Sequence, residues 1–294
     1  MVNTTTLIEK DIRQIASNIK IPKYVPSTKF PSDVIKYMKK NAILKQTVKL
    51  MKLNKFFLQE KFELFYLGDK TSVYQLNNNS VRISVNGENH YSIDELPNIL
   101  GVSRYLLIYT DNVLPRLISK IIICDLKYLL LTLLRISFND FKFLTSSVNF
   151  KKLLLNRAIV FSKNDEIVPY ECLLDHVPYL QELRLSHILS SEISKVFIEK
   201  ICSSNMKKLA FSDIDEKFEF ESILASLKKK PNLDVHLSFH NPELVLERID
   251  KYVDKLLASG LTKFCPPSFG FFYPKTTRYD SYKNLRKSYF ESVH

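Results

Sequence analysis

Apolar residues recur along this chain in short groups that share one spacing. The stretch NFKKLLL, Asn149 to Leu155, puts Phe150, Leu153 and Leu155 at its second, fifth and seventh positions. NMKKLAF, Asn205 to Phe211, does the same with Met206, Leu209 and Phe211. Between them YLQELRL supplies Leu180, Leu183 and Leu185, and upstream DLKYLLL supplies Leu126, Leu129 and Leu131. A fifth group, PNLDVHLSF, keeps Val235 and Leu237 but has Asn232 at the first position, with Leu233 one step late. The last two apolar positions are two apart, the spacing of one strand face, and the residues between them point the other way. Each group therefore predicts a short strand with one buried face.

The segments between the groups carry helical spacing instead. EISKVFIEKI places Ile193, Val196, Phe197 and Ile201 along a helical stripe, FESILASLKKK runs up to Pro231, and VPYECLLDHV has Pro169 at a helix start. Strand and helix alternate. The groups begin at 125, 149, 179, 205 and 231, so they are separated by 24, 30, 26 and 26 residues, against roughly 20 to 29 for leucine-rich repeats. No such unit can bury its apolar face alone, and stacking the units would leave a row of outward strand side chains free to meet a partner. The outward positions are Tyr128, Leu130, Lys152, Leu154, Glu182, Arg184, Lys208, Asp234 and His236. Chance recurrence of leucine spacing in an ordinary α/β protein is the alternative.

Ahead of these groups, residues 30 to 62 predict two short helices. Phe30-Pro31 with Ser32 or Asp33 as a cap leads into a stripe of Val34, Ile35, Tyr37 and Met38, and Leu50, Leu53, Asn54 and Phe57 fall at i, i+3, i+4 and i+7. Two β-like runs follow, Val73 to Leu76 and Val81 to Val85, with Asn86-Gly87 as a tight-turn signal. Leu106 to Tyr109 and Ile121 to Ile123 are further candidate strands. The expected organisation is an N-terminal segment 1–27, helices over 28–66, a β-hairpin connector over 67–105, the repeated units over 106–262, and a capping tail over 263–294.

Charge narrows the partners without choosing among them. With 43 Lys and Arg against 31 Asp and Glu, the chain carries a formal +12, which attracts acidic surfaces of protein, nucleic acid or lipid. The lysines are spread out, with no block of like charges of the kind that marks a nucleic-acid arm. The tail from Phe264 to Phe290 interleaves aromatics with Lys275, Arg278, Lys283, Arg286 and Lys287, a pattern that can stack and neutralise single-stranded nucleic acid or cover the end of a stack of repeats. Charged residues interrupt the most apolar region, Leu106 to Phe138, well short of a membrane span. No signal-peptide pattern opens the chain, and Cys124, Cys172, Cys202 and Cys265 lie far apart with no C-x-x-C, so an intracellular, cytoplasmic or nuclear protein with free thiols is expected.

Catalytic signals are weak. LGDKTS, Leu67 to Ser72, lacks the first glycine and the G-K-[ST] adjacency of a phosphate loop. His236 and His240 are four apart but sit on a strand pattern, unlike a helical metal pair. His176 near Asp175 and His187 near Ser186 lack any nucleophile setting. No catalytic residue, metal or cofactor is assigned, and a non-enzyme is expected.

The order of helices and repeats resembles the divergent F-box-like proteins abundant in nematodes. Phe30-Pro31 stands for the opening Leu-Pro of that module, and LMKLNKFF, Leu50 to Phe57, for its closing L-x-x-V-x-K-x-[WF]. IICDLKYLLL, FNDFKFLTSSVNFKKLLL and EIVPYECLLDHVPYLQELRL carry the likeness further along the chain. The resemblance implies an α/β fold in which a short helical F-box-like segment precedes an irregular leucine-rich-repeat-like solenoid. It further implies a substrate-recognition subunit of an SCF-type ubiquitin ligase. Phe30, Pro31, Val34, Ile35, Leu50, Leu53 and Phe57 would dock a Skp1-type adaptor, and the repeats would hold a protein substrate. Two alternatives stand beside it: a repeat scaffold or regulatory protein unconnected to ubiquitin, and a basic nucleic-acid binder.

Overall fold

A computed structural model describes residues 31–41, 65–77, 80–87, 89–110, 113–188, 192–260, 263–270 and 277–293. The chain divides into two units between Leu64 and Phe65. In the first, the described element is a helix, α1 (Ser32–Asn41), whose first turn closes by backbone bonds from Val34 and Ile35 to the Pro31 carbonyl. Proline's fixed φ and missing N–H suit the entry to a helix.

The second unit is α/β. Its strands are β1 (Phe65–Tyr66), β2 (Lys70–Asn77), β3 (Ser80–Val85), β4 (Asn89–Ser92), β5 (Leu100–Ile108), β6 (Ile121–Thr132), β7 (Arg135–Ser137), β8 (Lys152–Asn156), β9 (Ile159–Phe161), β10 (Glu182–Ser186), β11 (Lys208–Ile214), β12 (Asp234–Phe239) and β13 (Ser268–Phe269). Its helices are α2 (Leu114–Lys120), α3 (Phe138–Leu144), α4 (Tyr170–Leu174), α5 (Lys195–Ser203), α6 (Phe220–Leu227), α7 (Pro242–Ser259) and α8 (Thr277–Val293). Eleven strands form one sheet in the order β13-β12-β11-β10-β8-β6-β5-β2-β3-β4, with β1 beside β5. All pairs from β13 to β2 are parallel, and only β2-β3 and β3-β4 are antiparallel.

The strand groups read from sequence lie side by side in register. Leu129, Leu153, Leu183, Leu209 and Val235 form one row, and Leu131, Leu155, Leu185, Phe211 and Leu237 the next. Every one of these side chains is buried, as are Leu126, Phe150, Leu180, Met206 and Leu233 just ahead of them. The late leucine of the fifth group thus takes the place that Asn232 cannot fill. Both rows continue into β5 at Leu106 and Ile108. Buried side chains of the helices, among them Phe141, Leu173, Phe197, Leu224 and Val245, join the same core. At about 1.5–3 kcal/mol for each large apolar side chain taken from water, this shared core is what holds the parallel strands together.

The same left-handed step recurs at one level in four of these strands, at the ends of β6, β8 and β10 and at an irregularity within β11. Thr132, Asn156, Ser186 and Ser212 are aligned across the sheet. The residue after each has a left-handed backbone: Leu133 at φ 54, Arg157 at 50, His187 at 57 and Asp213 at 53. Non-glycine residues seldom adopt this conformation, so its recurrence at one register level marks where β6, β8 and β10 leave the sheet and where β11 breaks its regular pairing before Ile214. The connecting helices are capped locally: Ser137 accepts from the Asp140 N–H at 3.1 Å at the start of α3, and Ser194 from the Phe197 N–H at 2.9 Å at the start of α5. Lys230 caps the other end of α5, donating to the Ser204 carbonyl at 2.5 Å.

Several expectations are corrected in detail. Ile121 to Ile123 is the start of β6 rather than a separate strand. The turn at Asn86-Gly87, φ 53 and 86, joins β3 to β4, whereas the β2-β3 hairpin closes beyond Asn77. Both halves of the predicted hairpin belong to the main sheet through the parallel β2-β5 pairing. Gly68, weighed above as part of a phosphate loop, has φ 40 and lies against Asn86 and Val85, where a Cβ would come within 2.7 and 2.8 Å. Its role is close packing. The short parallel pair β7-β9 has no counterpart in the sequence reading, because three residues are too few to display a period.

Candidate functional site

All nine outward residues singled out above share one face of the sheet. Tyr128, Lys152, Glu182, Lys208 and Asp234 make one row, and Leu130, Leu154, Arg184 and His236 a second, with Ala210 between Arg184 and His236. The alternation that buries leucine on one side places them on the other. Both rows extend into β5 and β2: Tyr105 pairs with Tyr128 and Lys70 with Tyr105, while Leu107 pairs with Leu130 and Ser72 with Leu107. Sequence reasoning stopped short of Tyr105 and Lys70 because the triplet spacing that locates the later strands is absent from β5 and β2.

The middle of the face is an apolar and aromatic patch beside a cationic one. Tyr105, 44% exposed, stands 5.5 Å between ring centroids from the half-buried Tyr128. Leu107, Leu130 and Leu154 are each half-buried around them. Burial pushes the Tyr128 hydroxyl above its ordinary pKa, although Arg184 and Lys152 nearby oppose the shift. Glu182, with only 14% of its side chain exposed, receives Lys152 at 2.8 Å and Arg184 at 3.6 Å. The bond to Glu182 raises the Lys152 pKa and keeps the ammonium charged.

At β12 the face is already in use by the rest of the chain. Asp234 pairs with Arg286 of α8 at 3.1 Å, and the His236 ring shares a 2.7 Å hydrogen bond with Ser268 of β13. Gly270 lies so close that a Cβ there would come within 2.8 Å of His236 Nε2. Burial holds His236 below its ordinary pKa, and Arg184, Lys208 and Arg286 press in the same direction. Two of the nine candidates are therefore engaged by the tail.

The tail's own cations are partly consumed as well. Arg278 pairs with Asp250 at 2.7 Å and Asp254 at 2.9 Å, and Lys287 faces Glu291 at 3.6 Å. Lys283 is exposed, and Lys275 lies outside the described residues. Tyr282 and Tyr289 are buried and donate to the carbonyls of Pro267 and Pro231 at 2.5 and 2.9 Å. This is packing against the last strand, which leaves these tyrosines no face on which a base could stack.

Of the residues assigned to adaptor docking, Phe30, Leu50, Leu53 and Phe57 lie outside the described residues. Pro31 is exposed, Val34 is 41% exposed, and Ile35 is buried at 3%. Tyr37 of the same helix is 68% exposed.

A polar network not expected from sequence occupies the ends of β8 to β12. Asp213 joins His187 and, at 2.7 Å, His240, while Arg157 donates to His187 Nδ1 at 3.2 Å. Arg157, His187 and Asp213 all occupy the repeated left-handed position, one residue after the aligned Asn156, Ser186 and Ser212, which brings them together. Burial lowers the His187 pKa against the opposing pull of the Asp213 carboxylate, and Arg157 and His240 add to the lowering. Burial works to raise the Asp213 pKa, but the hydrogen bond from His240 and the neighbouring cationic groups hold it below the ordinary carboxylate value. Both His187 nitrogens are occupied, leaving none to act as a base. Among the described residues no cluster of His, Cys, Asp and Glu is arranged to hold a metal ion. A cavity of about 10 Å³ lined by Leu224, Leu227, Val235, Tyr252 and Cys265 is no larger than one water needs. No described helix is long and apolar enough to cross a membrane.

In comparison with known proteins, the chain matches no family model, and no match to a curated protein was found.

Proposed function

We propose that the chain is a non-enzymatic recognition subunit in which the β5–β11 part of the outward sheet face holds a protein substrate and the N-terminal helices dock a Skp1-type adaptor. On this reading the second unit is an irregular leucine-rich-repeat-like solenoid, the first is F-box-like, and the protein delivers substrates to an SCF-type ubiquitin ligase. The observation that carries it is the pairing of in-register leucine rows with an opposite face on which Tyr105, Tyr128, Leu130, Lys152, Leu154, Arg184 and Lys208 keep partial or full exposure. Repeats stacked in this way present such a face to macromolecular partners. Val34 and Tyr37, exposed on α1, supply apolar surface suited to an adaptor contact.

A pull-down of the full chain with a purified Skp1-type adaptor tests the ubiquitin link. Capture is expected, with loss on combining Val34→Asp and Tyr37→Asp while the unfolding temperature holds. Failure of the natural chain to capture any such adaptor would overturn it. The burial of Ile35 favours a second reading in which α1 serves packing alone and the protein is a scaffold with the same binding face, and that same failure would support it.

A further inference from the structure

The outward face carries an unequal charge that its own acids do not balance. Across β2 to β12 it presents Lys70, Lys152, Arg184 and Lys208 against Glu182 and Asp234. Both acids are engaged, Glu182 shared between Lys152 and Arg184, and Asp234 held by Arg286. Lys208 and Lys70 have no ion pair among the described residues. Immediately beside the cations lies the patch of Tyr105, Leu107, Tyr128, Leu130 and Leu154. A partner matching this surface must bring carboxylates to one side and an apolar side chain to the other.

We infer that the face takes an acidic segment of a protein, with one apolar or aromatic anchor on the Tyr105–Tyr128–Leu130 patch and carboxylates against Lys152, Arg184 and Lys208. The inference rests on the partner-binding role proposed above for this face and names the chemistry of what it binds. Glu182 at the centre of the cationic group favours protein over nucleic acid: a fixed carboxylate repels a continuous phosphate backbone but accepts a peptide N–H. Geometry also sets the spacing. From β6 to β11 is three strand steps, about 14 Å at the usual separation of neighbouring strands. An extended segment crossing the strands would cover that in about four residues.

The test uses the full chain and a fluorescein-labelled Gly-Ser peptide carrying one phenylalanine and, about four residues on, three glutamates. Controls replace the glutamates with lysines, replace the phenylalanine with alanine, or substitute oligo-dT of equal length. The acidic aromatic peptide should bind, weaken as salt rises, and lose at least about fivefold in affinity with the alanine control and with each of Lys208→Glu, Lys208→Gln and Tyr105→Ala. Thermal unfolding of each variant is followed alongside, and the milder glutamine replacement keeps the test decisive if the glutamate variant does not fold. Equal binding of the lysine peptide, tighter binding of oligo-dT, or no binding of the acidic peptide would overturn the inference. Adaptor capture without peptide binding defeats this inference and leaves the ubiquitin reading standing. Peptide binding without adaptor capture does the reverse.

Discussion

The two faces of the β6–β12 strands are made by the same chain with opposite rules. In the two aligned inner rows every residue is leucine except Val235 and Phe211, which are also apolar and buried. On the outer face the aligned residues run Tyr, Lys, Glu, Lys, Asp in one row and Leu, Leu, Arg, Ala, His in the other. The inner rows repeat because each strand meets the same neighbour problem, an apolar layer to be shared with the strand and helix beside it. The outer rows share no such apolar layer: Ala210 is buried, Asp234 and His236 meet the tail, and the remaining positions stay partly or fully exposed.

That contrast can be broken most severely from inside. Phe211→Ala should cost about 3–5 kcal/mol, since the ring is fully buried and the cavity cannot close by itself; urea denaturation measures it, and a cost below about 1 kcal/mol would mean the inner rows are not a packed core. Smaller effects come from the edge where strands end. Leu133→Asn should be neutral or stabilise by up to about 1 kcal/mol, because Leu133 is 60% exposed with φ 54 and asparagine tolerates the left-handed backbone better. The neighbouring Leu134, only 2% exposed, should lose about 2–5 kcal/mol on replacement by alanine.

Acidity should loosen the molecule at two histidines, His187 at that edge and His236 within β12. His187 and His236 both have pKa values held below 6.5 by burial. The unfolded chain then binds their protons more readily than the folded one, so the stability they confer is full above about pH 6.5 and falls as the pH drops through their lower folded values. Thermal unfolding between pH 7.5 and 5 should show a decline that His187→Gln reduces. An unchanged pH slope in that variant would remove His187 from the account.

The outer face should give the least response. Lys152→Ala removes the 2.8 Å pair with Glu182, but Arg184 remains nearby, so the cost should stay within about 1 kcal/mol. A cost comparable to that of Phe211→Ala would show that the two faces are not divided as described.

Much of the sheet was readable because its signal is local. A residue pattern with period two needs no knowledge of distant chain, and it located β6, β8, β10, β11 and β12 together with the side on which Tyr128, Lys152 and Arg184 stand. The helices α5 and α6 were readable for the same reason. The three-residue β7 and β9 were not, nor was the membership of β2 in the sheet, since its pairing with β5 links Lys70 to Tyr105 across 35 residues.

By itself the sequence determined which side of each strand is apolar, where helices return the chain, and that the outer positions are chemically mixed, all of which follow from backbone periodicity acting over a few residues. Only the tertiary structure decided that the strands align leucine to leucine, that Arg286 and Ser268 take up Asp234 and His236, and that Arg157, His187, Asp213 and His240 meet. Those outcomes depend on register between strands and on the path of the tail, and both are fixed by packing among residues tens of positions apart.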